Sequence, residues 1–343
     1  MPRAPTRPLL LAVLLLPLVA GAFSVPNHEL LTRTAITEAL GSPDTAPLAQ
    51  YREELVSACR NEDLNLHVKW TGWSHFFHPG TSLDTAFRQD SSARVRALWR
   101  EVEEAASHGD VARAYNRVGH LVHHIQDMAV PMHVVPVMHG LSDLFERHPF
   151  NPVALARPST RQLEPLSGPE AQVSLALETL VVVRSGVLPA RGGGSIPWSA
   201  FWSEPTHTGP GAFGHYGTVG NAFDAPEVHY QGRTWTVEPE AYEDFVTARG
   251  RAAVDYSRAF LVWASARITE LARGQDRVSQ PAWSPPPVLA LEVMGGGATS
   301  RQGLAPMVGL RALVPLPWAA GLSVSYARAV GGPLAPGDRK SVV

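Results

Sequence analysis

Apolar positions recur at helical spacing along most of this chain. The stretch HELLTRTAITEAL, which begins at His28, is amphipathic, and residues 46–59 form a second helical candidate. A helical pattern runs from Asp84 to Ser107, and Asp110, after Gly109, has the side chain of an N-cap for a long helix that runs into Pro131. Residues 151–168, rich in proline and serine, read as loop. An apolar helix is expected near 169–186, and RGGGS at 191–195 reads as a flexible connector. The stretch EAYEDFVTARGRAAVDYSRAFLVWASARITELA is a long amphipathic helix that would close a bundle. Beyond PAWSPPP, at 281–287, VLALEVMG and GLSVSYARAV partly alternate apolar with small or polar residues, as antiparallel strands do. The pattern predicts a mostly α fold: a helical domain over 23–280, a Pro-rich linker at 281–287 and a β-rich segment over 288–343.

The two ends carry different signals. MPRAPTRPLLLAVLLLPLVAGA has Arg3 and Arg7 ahead of an apolar run from Leu9 to Val19, then small residues at Ala20 and Ala22. This reads as a signal peptide over 1–22, which implies a secreted or periplasmic protein. The run is short for a membrane span of about 20 residues; an uncleaved anchor is the alternative. The closing DRKSVV resembles the start of a translated sequencing adapter, which implies a reading frame cut short in assembly; a genuine terminus is the alternative.

Composition narrows the function classes. At 343 residues and 45% hydrophobic, the chain can bury a real core. Its formal net charge is −2, and loss of Arg3 and Arg7 makes it more acidic, so no basic surplus recruits nucleic acid. Cys59 is the only cysteine, which rules out an intramolecular disulfide and leaves bound metal as the available cross-link.

The chemistry concentrates in GHLVHHIQDMAVPMHVVPVMHGLSD, residues 119–143. On a helix, His123 and Asp127 leave the same face one turn apart. Pro131 should bend the chain and bring His133 back towards them, and His139 with Asp143 repeats the four-residue step. Neutral imidazole and carboxylate are usual zinc ligands, and five such residues exceed the needs of one ion, so the spacing reads as a multinuclear site. His120 and His124, also four apart, are the rival ligands. An isolated histidine here would ordinarily be a surface or satisfied core residue; the joint pattern argues otherwise.

HHIQDMAVPMH resembles the H-x3-D-x5-H core of bacterial zinc-dependent phospholipase C, which is similar to that of fungal zinc-dependent single-strand nucleases. The resemblance is close over residues 63–143 and loose over 23–272. It implies a helical bundle around three zinc ions and hydrolysis of phosphodiesters. By that resemblance the first zinc would take His75, from SHFFHP, with His123, Asp127 and Asp63; the second His133, His139 and Asp143; and the third His28, Asp127 and the backbone of Phe23 as the mature N-terminus. Phe23 stands where the family has tryptophan. Asp63 could instead, or also, orient or deprotonate the attacking water as general base. Glu62 competes with Asp63, His78 with His75, and Glu146 or His148 with the second group. The loop from His133 to His139 is shorter than in the phospholipases. The resemblance implies phospholipid as substrate, with transient contact to a membrane surface and no stable nucleic-acid partner. Trp70, Trp73, Phe76 and Phe77 would pack in the core or line a lipid headgroup pocket, since aromatic faces hold quaternary ammonium. A single-strand nuclease and a metal-stabilised binding protein are the alternatives.

Overall fold

In the computed structural model, the amphipathic stretches become six long helices: α1 (Val25–Ala39), α2 (Arg52–Leu64), α3 (Ser91–Ser107), α4 (Val111–Asp127), α5 (Gly168–Ser185) and α6 (Pro239–Gln275). The structure describes residues 24–41, 43–64, 74–85, 89–138, 143–157, 159–207, 211–217 and 221–275, and the backbone of 290–300, 303–316, 320–329 and 341–342. Residues 1–23, Trp70, Trp73, His139 and the 281–287 linker lie outside these. The fold is mostly helical. None of the described helices is long and apolar enough to cross a membrane.

The chain divides into two compact units that part after Val278. In the second, strands Ala290–Ser300, Gly303–Leu316 and Ala320–Ala329 pair antiparallel in sequence order, and Ser341–Val342 adds to the last of them.

Helix α4 is the centre of the first unit and packs against α2, α3 and α6. Asp110 starts it by accepting the Arg113 N–H at 3.1 Å. Gly109, at φ +76°, supplies the left-handed turn that separates it from α3. From Val118 to Asp127 every residue is buried, polar ones included. A side chain at Gly119 would collide with the Leu55 carbonyl and lie 2.7 Å from the Ala58 Cβ. The glycine therefore lets the backbones of α2 and α4 touch, and this sets Cys59, Glu62 and Asp63 beside the polar face of α4.

Several local expectations change. The candidate at 46–59 is two elements, a short helix Ala46–Gln50 and α2, separated at Tyr51. Among the described residues of the stretch from Asp84, the helix starts at Ser91, where Asp90 caps α3 by accepting the Ser92 N–H at 2.9 Å and Asp84 accepts the Asp90 N–H at 2.7 Å. The loop at 151–168 opens with a helical turn, Pro152–Leu155. RGGGS is the turn of a hairpin, not a flexible connector: Val187–Pro189 pairs with Ser195–Pro197, and Gly192, Gly193 and Gly194 all take positive φ. The aromatic WSAFWSEP segment packs inward, with Trp198 stacked on Phe245 (ring centroids 3.8 Å) and Trp202 edge-on to Phe145. Truncating one such buried ring to alanine costs about 3–5 kcal/mol.

Candidate metal centre

Four elements converge on Asp127, the last residue of α4. Its Oδ2 lies 2.9 Å from His75 Nδ1, 3.4 Å from His123 Nε2 and 3.8 Å from His133 Nδ1. Its Oδ1 lies 3.4 Å from His28 Nε2, on α1. His75 Nδ1 and His123 Nε2 are 3.2 Å apart. Asp63, at the end of α2, spans the same two directions, with Oδ1 3.9 Å from His123 Nε2 and Oδ2 4.0 Å from His28 Nε2. His28, His75, His123, His133, Asp63 and Asp127 are all buried.

These residues fit a metal ion. Nitrogen and oxygen donors held tetrahedrally at zinc-like bond lengths lie about 3.3 Å from each other. The three edges between His75, His123 and Asp127 are 2.9, 3.2 and 3.4 Å. Asp63, His75 and His123 offer donor atoms within 4.8 Å of one another, as do His75, His124 and Asp127, and also His28, Cys59 and His123. The opposite ring nitrogens, His75 Nε2 and His123 Nδ1, are buried and have no hydrogen-bond partner among the described residues.

His133 returns to the cluster because Val130 is extended (ψ 116°) ahead of Pro131, which starts the one-turn helix Pro131–Val134. Its other nitrogen, Nε2, meets Glu146 Oε1 at 3.0 Å. Asp143 has extended backbone (φ −75°, ψ 155°), and His139, its expected partner, lies outside the described residues. Asp143 caps the helix Leu144–Arg147, accepting the Phe145 N–H at 2.7 Å, while Glu146 Oε2 accepts the Asp143 N–H at 3.3 Å. The capping box holds the Glu146 carboxylate, one of the alternatives to Asp143, at this turn. Ser24 adjoins this pair, its N–H bound to the Glu146 carbonyl at 3.0 Å.

Among the rival residues, Glu62, His120 and His124 form a network of their own, with His124 also within reach of His75 and Asp127. Glu62 is fully buried and takes Arg94 Nε at 2.8 Å, His124 Nε2 at 2.9 Å and His120 Nδ1 at 2.7 Å. His124 Nδ1 in turn faces the Ser91 hydroxyl, which accepts from the Gln172 amide at 2.8 Å. His78 Nδ1 donates to the Val134 carbonyl at 2.8 Å, and the His148 ring stands edge-on to Phe223. Phe76 is buried between His133 and Phe213. Phe77 is half-buried and lines an open groove of about 350 Å³ with His78, Asp84, Asp90 and Arg96.

Burial and close packing shift these groups in both directions. Burial opposes ionisation of Asp127, but the charge of His123 and hydrogen bonds from His28 and His75 hold it well below the usual carboxylate range. Burial likewise opposes the protonation of His28 and His75, and Asp127 overcomes it, so both are raised. His123, stacked on His28 at 4.1 Å, is pushed well down by burial and by the neighbouring imidazoles. Glu62 is held far below its ordinary value despite burial, by the hydrogen bonds of His120 and His124 and by Arg94; burial lowers His124.

The chain matches no described protein family and no curated protein.

Proposed function

We propose that this protein is an exported zinc-dependent phosphodiesterase of the phospholipase C type, which cleaves phospholipid to diacylglycerol and a phosphorylated headgroup. The observation that carries the reading is Asp127, whose two carboxylate oxygens face different imidazoles, Oδ2 towards His75 and His123 and Oδ1 towards His28, which stacks on His123. A carboxylate so placed can join two cations. The first would be held by His75, His123, Asp127 and Asp63, the next by His28, Asp127 and the N-terminal backbone of Phe23. A further group pairs His133 with Glu146, with His139 and Asp143 as the remaining donors of that segment.

Zinc held there supplies Lewis acidity: it makes water nucleophilic near neutral pH and withdraws charge from phosphoryl oxygens. The chain's own residues do the rest. Asp63, between His123 and His28, is positioned to orient the attacking water or accept its proton. Water attacks phosphorus, the bond to the glycerol oxygen breaks, and that oxygen takes a proton. A choline-like cation would call for an aromatic ring and a carboxylate, and Phe77 and Asp84 line the open groove, beside Arg96. The chain's acidic balance disfavours a polyanionic nucleic acid.

The test is hydrolysis by the purified mature protein of phosphatidylcholine micelles and of single-stranded DNA, with zinc and with chelator. Chelator-sensitive release of diacylglycerol is expected. Nucleotide release without diacylglycerol would transfer the assignment to a nuclease, and activity on neither, with tightly held metal, to a metal-stabilised binding protein. Mass analysis should find Phe23 first; a different first residue would remove the backbone ligand, and elemental analysis should then give two metals per chain instead of three.

A further inference from the structure

Three helices meet behind the imidazole of His28. Gln126, in the last turn of α4 and fully buried, holds its amide oxygen 2.6 Å from His28 Nδ1. Its amide nitrogen donates to Thr32 Oγ1 at 3.0 Å, one turn beyond His28 on α1. The Thr32 hydroxyl donates to Cys59 Sγ on α2 at 3.3 Å, and the thiol points back to Gln126 Oε1 at 3.8 Å. The donors therefore run in one sense around the ring, from amide to hydroxyl to thiol and back to the amide oxygen.

An amide oxygen can only accept, so the proton of His28 belongs on Nδ1 and its lone pair on Nε2. That nitrogen faces Asp127 Oδ1 at 3.4 Å and Asp63 Oδ2 at 4.0 Å. We propose that Gln126 is a positioning residue: it fixes His28 in the Nδ1–H form, with Nε2 presented to a metal ion shared with Asp127, and the Thr32–Cys59 pair keeps the amide turned that way. The proposal rests on the reading that His28 and Asp127 hold a metal. Partners of this kind fix both the tautomer and the ring orientation of a ligating histidine. A neutral amide serves here because Asp63 and Asp127 already bring two carboxylates to the same ring.

The test uses the full mature chain, loaded with cadmium and labelled with isotopic nitrogen in histidine. Magnetic resonance reads which His28 nitrogen carries the proton and which couples to cadmium. Elemental analysis after dialysis against graded chelator reads affinity. Wild type should carry the proton on Nδ1 and cadmium on Nε2. Gln126→Met, similar in volume without the acceptor, should lose one ion per chain or bind it about 10- to 100-fold more weakly, with the His75–His123 group still loaded. Gln126→Glu keeps an acceptor at the same place and should restore both readouts. The proposal is overturned by metal on Nδ1 in wild type, by unchanged tautomer and affinity in Gln126→Met, or by failure of Gln126→Glu to rescue. Should Gln126→Met not fold, Thr32→Val is read in the same way: weaker binding is expected, and unchanged tautomer and affinity would overturn the proposal. Wild type that takes up no cadmium would remove the metal reading and this proposal together, whereas loaded wild type with the opposite tautomer removes the proposal alone.

Discussion

Asp127 and Asp143 have the same side chain in very different surroundings. Asp127 is enclosed by His28, His75, His123 and His133, whereas Asp143 caps a one-turn helix. Asparagine caps a helix as well as aspartate does, so Asp143→Asn should keep most of the bound metal. Asp127→Asn should lose it from both imidazole groups; elemental analysis of the two variants decides, and equal loss would argue against a shared carboxylate. Glu62 makes a different demand. Its charge is matched by Arg94 and faced by His120 and His124, so Glu62→Gln leaves a partly buried guanidinium uncompensated. We expect a loss of about 3 kcal/mol, measured by urea unfolding; a change below about 1 kcal/mol, the range of exposed pairs, would mean that the network is relaxed. Both carboxylates are legible in the sequence as candidates, but which one meets the cluster depends on the rotation of α2, since Glu62 and Asp63 are adjacent and point about 100° apart on a helix.

At the scale of elements, the contact of α2 with α4 decides whether the site exists. Gly119 is where their backbones approach, and any side chain there meets the Leu55 carbonyl. Gly119→Ala should therefore destabilise the fold by about 1–3 kcal/mol, although alanine is the better helix former. It should also weaken metal binding by moving Asp63 away from His123, which isothermal titration with zinc can measure. A stabilised variant with unchanged affinity would show that the helices separate at no cost. The helix α4 and the bend at Pro131 were readable from local rules, because capping, i to i+4 spacing and proline geometry all act within a few residues. The start of α3 and the hairpin around Gly192–Gly194 were not, since Asp84 and the glycines have the same composition in a helix approach, a loop or a turn.

Across the whole molecule, α5 and α6 are tied by Glu178, which accepts from Arg249 at 3.1 Å and from Arg161. Burial would raise its pKa, but the hydrogen bond from Arg161 and the charge of Arg249 prevail, and it lies below 4.5. A carboxylate whose pKa is lower in the folded state contributes stability in full above its unfolded value and loses it as pH falls through the folded one. Wild type should therefore lose stability below about pH 4.5 more steeply than Glu178→Gln, as read from urea midpoints; parallel curves would show that the tie contributes nothing. The sequence by itself determined the mostly helical fold, the long helix with His123 and Asp127, and the return of His133, because each follows from periodicity or from geometry within a few residues. The resemblance, not the spacing, led to the expectation that His28, Asp63 and His75 share a site with Asp127; tertiary structure alone decided that Glu146 faces His133 and that Gln126 stands behind His28. These residues lie on different elements, and their distances are set by how closely and at what rotation the helices pack, which no local pattern encodes.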